Sequence, residues 1–142
     1  QILCTLGLDY RELIRIDKVT YYDKVYIPDG SIIYQNWTYF SDEIIETVSK
    51  ITSFCQSKFS VYYEKIYLSR TSFSRKKKKD FGEIAIEESF RANGFEVIYP
   101  EQLSFMQQVY LLQHCKCLAC TEGSVSHNSI FCKMKIVVQL LS

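Results

Sequence analysis

The residues of this chain best suited to chemistry fall mainly in two short stretches, Ser69-Arg70 and Glu122-Gly-Ser-Val-Ser-His-Asn128. Both suit an anion such as a phosphate. An arginine offers a planar, doubly donating fork to phosphate oxygens, and the Ser69 hydroxyl stands next to it. Gly123 lets backbone approach a ligand closely, and the N–H groups of a helix that begins at Ser124 suit a phosphate. His127 and Asn128 are expected to face inward on the first turns of that helix. There the histidine could hold a phosphate or a ribose, or take the proton of a hydroxyl. Glu101, behind Pro100, could accept hydrogen bonds from a ribose or a base; it could equally cap the helix that starts at Ser104. Each group also has a structural reading, such as a surface arginine at a strand end or a histidine satisfied inside a helix cap.

These groups can act together only if the chain brings them to one end of a sheet. The pattern after Val61 does so. Residues 61–68 read as a strand, 69–80 as a polar loop, and 83–92 as a helix stopped by Asn93-Gly94. Residues 95–99 read as a strand ended by Pro100, and Ser104 caps a helix carrying Phe105, Val109 and Leu112. A strand over 116–120, a short helix over 125–131 and a last strand over 135–140 follow. Alternation of this kind means βαβ units and a parallel sheet. Cys120 to Ser124 is then a strand-to-helix turn at the carboxyl end of a central strand, where open α/β sheets bind ligands.

The first half differs. Residues 14–27 are rich in β-branched and aromatic side chains and run into Pro28-Asp29-Gly30, which predicts one or two strands and a turn. Ser41, Asp42 and Glu43 open a helix of four to five turns whose apolar residues repeat at helical spacing as far as Cys55, with an end near Lys58.

At 142 residues, 47% hydrophobic and 15% aromatic, the chain is a folded domain rather than a disordered one. A net charge of +1 names no partner, and no apolar run reaches the length of a membrane span. The run Arg75 to Lys79 supplies the positive balance, but no aromatic platform is interleaved with it, which argues against nucleic acid and for a solvated loop or a contact with an anionic membrane surface. His114-Cys115-Lys-Cys117-Leu-Ala-Cys120 imitates a zinc cluster. Its cysteines lie along a predicted strand, where alternate residues face opposite ways, so they read as reduced, small core residues and no metal is expected. Asn36-Trp-Thr38 fits a glycosylation sequon with no secretory signal beside it. Gln1 and Ser142 both fall beside sequence typical of packed elements, so the chain reads as a piece of a longer protein.

In order and spacing, several pieces resemble glycosyltransferase family 61 in its bacterial, capsular and surface-polysaccharide form. They are Lys24-Val-Tyr-Ile-Pro28, Ile66-Tyr-Leu-Ser-Arg70, Gly82-Glu83, Asn93 to Glu101, Leu103-Ser104, Gln108, and Gly123-Ser124 with His127-Asn128 and Phe131. Many relatives carry a Gly-Pro-His-Gly-Ala-like turn where this chain has Thr121-Glu-Gly-Ser124, and a glutamate in place of Gln139. The resemblance implies a two-lobed, GT-B-like transferase with two Rossmann-like lobes, the active site between them and the nucleotide-sugar donor mainly on the C-terminal lobe.

The reading is therefore an α/β Rossmann-like lobe over 61–142, preceded by a connecting helix over 41–60 and the end of an N-terminal lobe over 1–40. The expected activity is transfer of a sugar from a nucleotide-sugar donor to a hydroxyl of a glycan acceptor. The resemblance implies inversion and no essential metal, and no Asp-x-Asp pair occurs. Ser69, Arg70, Glu101, Glu122, Gly123, Ser124 and Asn128 are the expected donor-binding residues, with His127 as the catalytic candidate. A cytoplasmic location, including the inner face of the membrane, follows from the same resemblance, and the piece alone is expected to turn over little. The alternative is a non-catalytic α/β interaction domain derived from such an enzyme.

Overall fold

The computed structural model describes residues 2–27, 32–34, 38–55, 59–61, 63–72, 82–121, 123–133 and 136–140. The chain divides into two compact units, 1–51 and 52–142.

In the first unit a short helix α1, Ile2–Thr5, is followed by a single 3-10 turn, Tyr10–Glu12, which Asp9 caps by accepting from the Arg11 amide at 2.9 Å. Residues 13–27 then run on without a helix or a strand. This corrects the expectation of strands there. The side chains have strand chemistry, yet Ile14, Val19 and Tyr21 are 83%, 88% and 94% exposed. β-propensity reflects fit to a half-buried pleated surface, and none covers these residues. The strands of this unit come later, as an antiparallel pair of β1, Ile32–Tyr34, and β2, Thr38–Phe40, with Ile33 opposite Tyr39. Helix α2 spans Asp42–Cys55 with two acids in its first turn, where the helix dipole favours them; its expected end at Lys58 lies outside the described residues.

The second unit is α/β. Strands β3 (Lys65–Leu68), β4 (Glu96–Ile98), β5 (Cys117–Thr121) and β6 (Ile136–Leu140) form one sheet in the order β4-β3-β5-β6, and every pairing is parallel. All four expected strands thus share one sheet. Parallel neighbours need crossovers, supplied by α3 (Glu83–Ala92) and α4 (Phe105–His114). Helix α3 stops at a Schellman motif: Gly94 takes φ 77°, its amide donates to Arg91 O, and the Phe95 amide donates to Phe90 O at 3.0 Å. Helix α4 starts at a capping box in which Ser104 Oγ accepts from the Gln107 amide and Gln107 Oε1 accepts from the Ser104 amide. That cap uses Gln107, not Glu101.

Both faces of β3 and β5 are covered, which is why these strands are apolar without alternation. On one face Ile66, Leu68, Leu118 and Cys120 pack with Leu112 and Cys115 from α4 and its end. On the other, Tyr67 is fully buried and stacks on Phe90 of α3 with ring centroids 4.3 Å apart.

The strand order contains a reversal. From β3 the chain moves to β4 on one side, then crosses to β5 on the other. The carboxyl ends of β3 and β5 therefore flank a topological switch point, where the two connections part and leave a crevice.

Candidate functional site

Arg70 and Gly123 lie at that switch point, one just after β3 and the other just after β5. The structure brings them into direct apposition. Gly123 has φ 132° and ψ −166°, and a Cβ built on it would stand 3.1 Å from Arg70 Nη1 and 3.6 Å from Cζ. Two reasons therefore call for glycine here: L side chains rarely adopt that φ, and the space belongs to the guanidinium. Close backbone approach was foreseen for a ligand; the group that makes it in this structure is Arg70.

The helix expected over 125–131 is a 3-10 helix, Ser124–Phe131. Its first bond runs from the Ser126 amide to Gly123 O at 3.0 Å, so the amides of Ser124 and Val125 precede the ladder, at the helix end that suits an anion. The tighter turn separates His127 from Asn128. Successive residues of a 3-10 helix rotate by about 120°, which sets His127 and Asn128 on different faces. His127 is exposed, which corrects the inward placement expected for it. Asn128 is half-buried, and its Nδ2 donates to Gln108 Oε1 at 3.3 Å. Gln108 Nε2 in turn donates to Pro100 O at 2.8 Å, so a chain of amides ties the 3-10 helix to α4 and to the turn after β4.

Ser69 is 1% exposed and turns its hydroxyl away from the surface. Its Oγ donates to Glu87 Oε1 at 2.5 Å, lies 3.0 Å from Thr71 Oγ1 and accepts from the Thr71 amide at 3.0 Å. Glu101 is exposed in the 3-10 turn Pro100–Gln102 after β4, the strand on the far side of β3 from β5. Glu122, the run Arg75 to Lys79 and Asn36 lie outside the described residues, as does the side chain of Ser124.

Sequence reasoning missed Glu87. This acid is 3% exposed, on the face of α3 that covers the sheet. Besides Ser69, it accepts from Tyr99 Oη at 3.0 Å and from Arg91 Nη2 at 3.1 Å. Burial alone would push its carboxyl up, but the Ser69, Thr71 and Tyr99 hydroxyls and Arg91 hold it below the usual glutamate range. A signal was available: Glu83, Glu87 and Phe90 fall on one helical face, and Arg91 follows Glu87 by four residues.

Three further buried polar atoms, Tyr67 Oη, Glu83 Oε2 and Thr121 Oγ1, find no hydrogen-bond partner among the described residues. Tyr67 and Thr121 lie on the α3 face by strand alternation. Burial, with Glu83 and Glu87 nearby, pushes the Tyr67 hydroxyl far up.

All six cysteines are free thiols. Cys115 and Cys120 belong to the core beneath α4, and alternation turns Cys117 to the opposite face. Among the described residues no three histidine, cysteine or acidic groups stand close enough to hold a metal ion. Burial pushes the Cys120 thiol up, away from the thiolate form that metals bind.

A parallel sheet with an arginine and a glycine-led turn at its switch point defines the class, an α/β protein of the kind that binds ligands at the carboxyl ends of its strands. The chain belongs to glycosyltransferase family 61: the Glycosyltransferase 61 family model matches residues 10–138. Glycosyl transfer is thus its general class of activity. No curated protein and no solved structure matches it. No helix among the described residues is long and apolar enough to cross a membrane.

Proposed function

We propose that this protein transfers a sugar from a nucleotide-sugar donor to a hydroxyl of a capsular or other surface glycan, with inversion at the anomeric carbon and without an essential metal. The single observation that carries the reading is the apposition of Arg70 and Gly123 at the switch point. In such a transfer the bond from the anomeric carbon to the diphosphate breaks, and negative charge builds on the leaving phosphate. Arg70 would neutralise that charge with a charge-assisted fork, and the amides at the start of the 3-10 helix would add fixed dipoles. His127, exposed on the 3-10 helix that follows Gly123, is the candidate to take the proton of the incoming hydroxyl. Residues 61–142 would serve as the Rossmann-like donor-binding lobe of a GT-B-like enzyme, joined through residues 41–60 to the tail of an N-terminal lobe. The partners are then the donor and a glycan acceptor, met in the cytoplasm or at the inner membrane face. Ser69 enters as a support for Arg70 and not as a phosphate ligand, since its hydroxyl is held by Glu87.

Calorimetry with uridine, guanosine, cytidine and adenosine diphosphates tests this. At least one should bind, and Arg70→Ala should weaken it tenfold or more, because a hydrogen bond to a charged group is worth about 1.5–3 kcal/mol. Gly123→Val should do at least as much harm by displacing the guanidinium. His127→Ala should lower turnover of the complete enzyme while sparing donor affinity. If no diphosphate binds, or Arg70→Ala binds as wild type, the chain is a non-catalytic α/β interaction domain descended from such an enzyme.

A further inference from the structure

We infer that Glu87 is a positioning residue for the anion site: by holding the Ser69 hydroxyl it fixes the Ser69–Thr71 turn and so aims Arg70 across the switch point at Gly123. The inference rests on the diphosphate reading of that site. Three observations carry it. First, the carboxylate is buried yet accepts hydrogen bonds from three elements: Ser69 after β3, Arg91 on α3 and Tyr99 after β4. Second, both neighbours of Arg70 are pinned. Ser69 and Thr71 are 1% and 3% exposed, their hydroxyls lie 3.0 Å apart, and the Thr71 amide donates back to Ser69 Oγ. The Ser69 amide also donates to Ile98 O at 2.8 Å, which locks the strand end to β4. Third, Ser69 turns toward α3 and Glu87, while Arg70 lies against Gly123, which leads into the 3-10 helix whose Val125 and Phe131 pack on the core beneath α4. The carboxylate and the guanidinium thus extend in different directions from one short turn. Glu87 acts on Arg70 through backbone.

Packing alone does not account for such a group. Glu87 is buried while its ion-pair partner Arg91 is exposed. A buried charged group is often no more stabilising than a well-packed apolar residue of similar size, and its best-attested use is to select one arrangement among several. Here the arrangement selected is the direction of an arginine. If the Ser69 hydroxyl is released, the turn gains alternatives, and the guanidinium is held against Gly123 for only part of the time.

The test is a double-mutant cycle on the 142-residue chain, with inorganic pyrophosphate as the probe, followed by nuclear magnetic resonance titration. Glu87→Gln keeps the shape and removes the charge; it should weaken pyrophosphate about fivefold, as when a charge-assisted contact is loosened rather than deleted. In an Arg70→Ala background the same change should have no further effect. A merely structural role would give losses that multiply. The second readout needs no ligand. The Arg70 Nε–H signal should be distinct in the wild type and should collapse toward that of a free arginine side chain in Glu87→Gln. Ser69→Ala, which cuts the link while leaving Glu87 with Arg91 and Tyr99, should reproduce both effects, and it serves alone if Glu87→Gln does not fold. Unchanged affinity, multiplying losses or an unchanged Arg70 signal would overturn the inference. If pyrophosphate does not bind the wild type, the diphosphate reading falls, and the Arg70 signal by itself decides whether Glu87 positions the arginine.

Discussion

Residues 13–27 and the strands of the parallel sheet are built from much the same side chains, with opposite results. Ile14, Val19, Tyr21 and Ile27 are 83%, 88%, 94% and 85% exposed, whereas Ile66, Tyr67, Leu118 and Ala119 are fully buried. What differs is what surrounds them. β3 and β5 have a parallel neighbour on each side and helices on both faces, so their amides are paired and their apolar side chains are covered together. Residues 13–27 have the residue types of strands and no ladder. Strand propensity becomes a strand only where pairing and burial are available.

The sharpest way to break this comparison is to truncate one residue on each side of it. Leu118→Ala in β5 should destabilise the protein by about 2–5 kcal/mol, the usual sum of lost burial and residual cavity for a core leucine. Ile14→Ala should change stability by less than about 0.5 kcal/mol, as for other exposed positions. Chemical denaturation of both variants measures this. An Ile14→Ala loss that rivals the Leu118→Ala loss would mean that residues 13–27 are covered in solution.

The same contrast explains what was legible in the sequence. The parallel sheet was readable because its strands are short apolar runs between strong punctuation: Asn93-Gly94, Pro100 and Ser104 mark ends that the structure keeps. Arg70 and Gly123 could be named because chemistry-bearing residues right after such strands have few other places to go. The pieces between Lys24 and Phe131 were enough to identify the family. Residues 13–27 were misread because composition carries no information about partners. The stretch 125–131 was legible as helical, but neither its 3-10 form nor the exposure of His127 was. Glu87 went unread because an acid on a helix defaults to solvent, and the face it shares with Phe90 is too weak a signal until α3 is laid on β3.

A smaller effect separates Glu87 from acids on the surface. Its carboxyl is held below the usual range, so it contributes stability above its unfolded value of about 4.3 and loses it as pH falls through the lower folded value. The charged and polar groups around it are Ser69, Thr71 and Tyr67 on the strand side, Glu83 and Arg91 on α3, and Tyr99 after β4. Thermal melts of wild type and Glu87→Gln should therefore differ most at neutral pH, and the gap should narrow as pH falls below about 4.3. A gap that stays constant with pH would show that the charge of Glu87 carries no part of its role.

The smallest expected change compares two hydroxyls a residue apart on that same face. Tyr67 Oη and Ser69 Oγ are both buried at the carboxyl end of β3. Ser69 Oγ is bound to a carboxylate, whereas Tyr67 Oη makes no hydrogen bond of good geometry among the described residues. Glu83, whose Oε2 is likewise unpartnered among them, comes close enough to act on the hydroxyl but is not aligned to accept from it. Removing a partnered hydroxyl forfeits its bond and strands the acceptor; removing an unpartnered one deletes a desolvation cost and leaves the ring's stacking on Phe90 intact. Ser69→Ala should thus lose about 1.5–3 kcal/mol, while Tyr67→Phe should be neutral or gain up to about 1 kcal/mol. Equilibrium unfolding of the two variants at neutral pH reads the difference directly. A loss above about 1 kcal/mol in Tyr67→Phe would mean that a buried water or another group satisfies this hydroxyl, and it would place that group beside Tyr67 and Glu83.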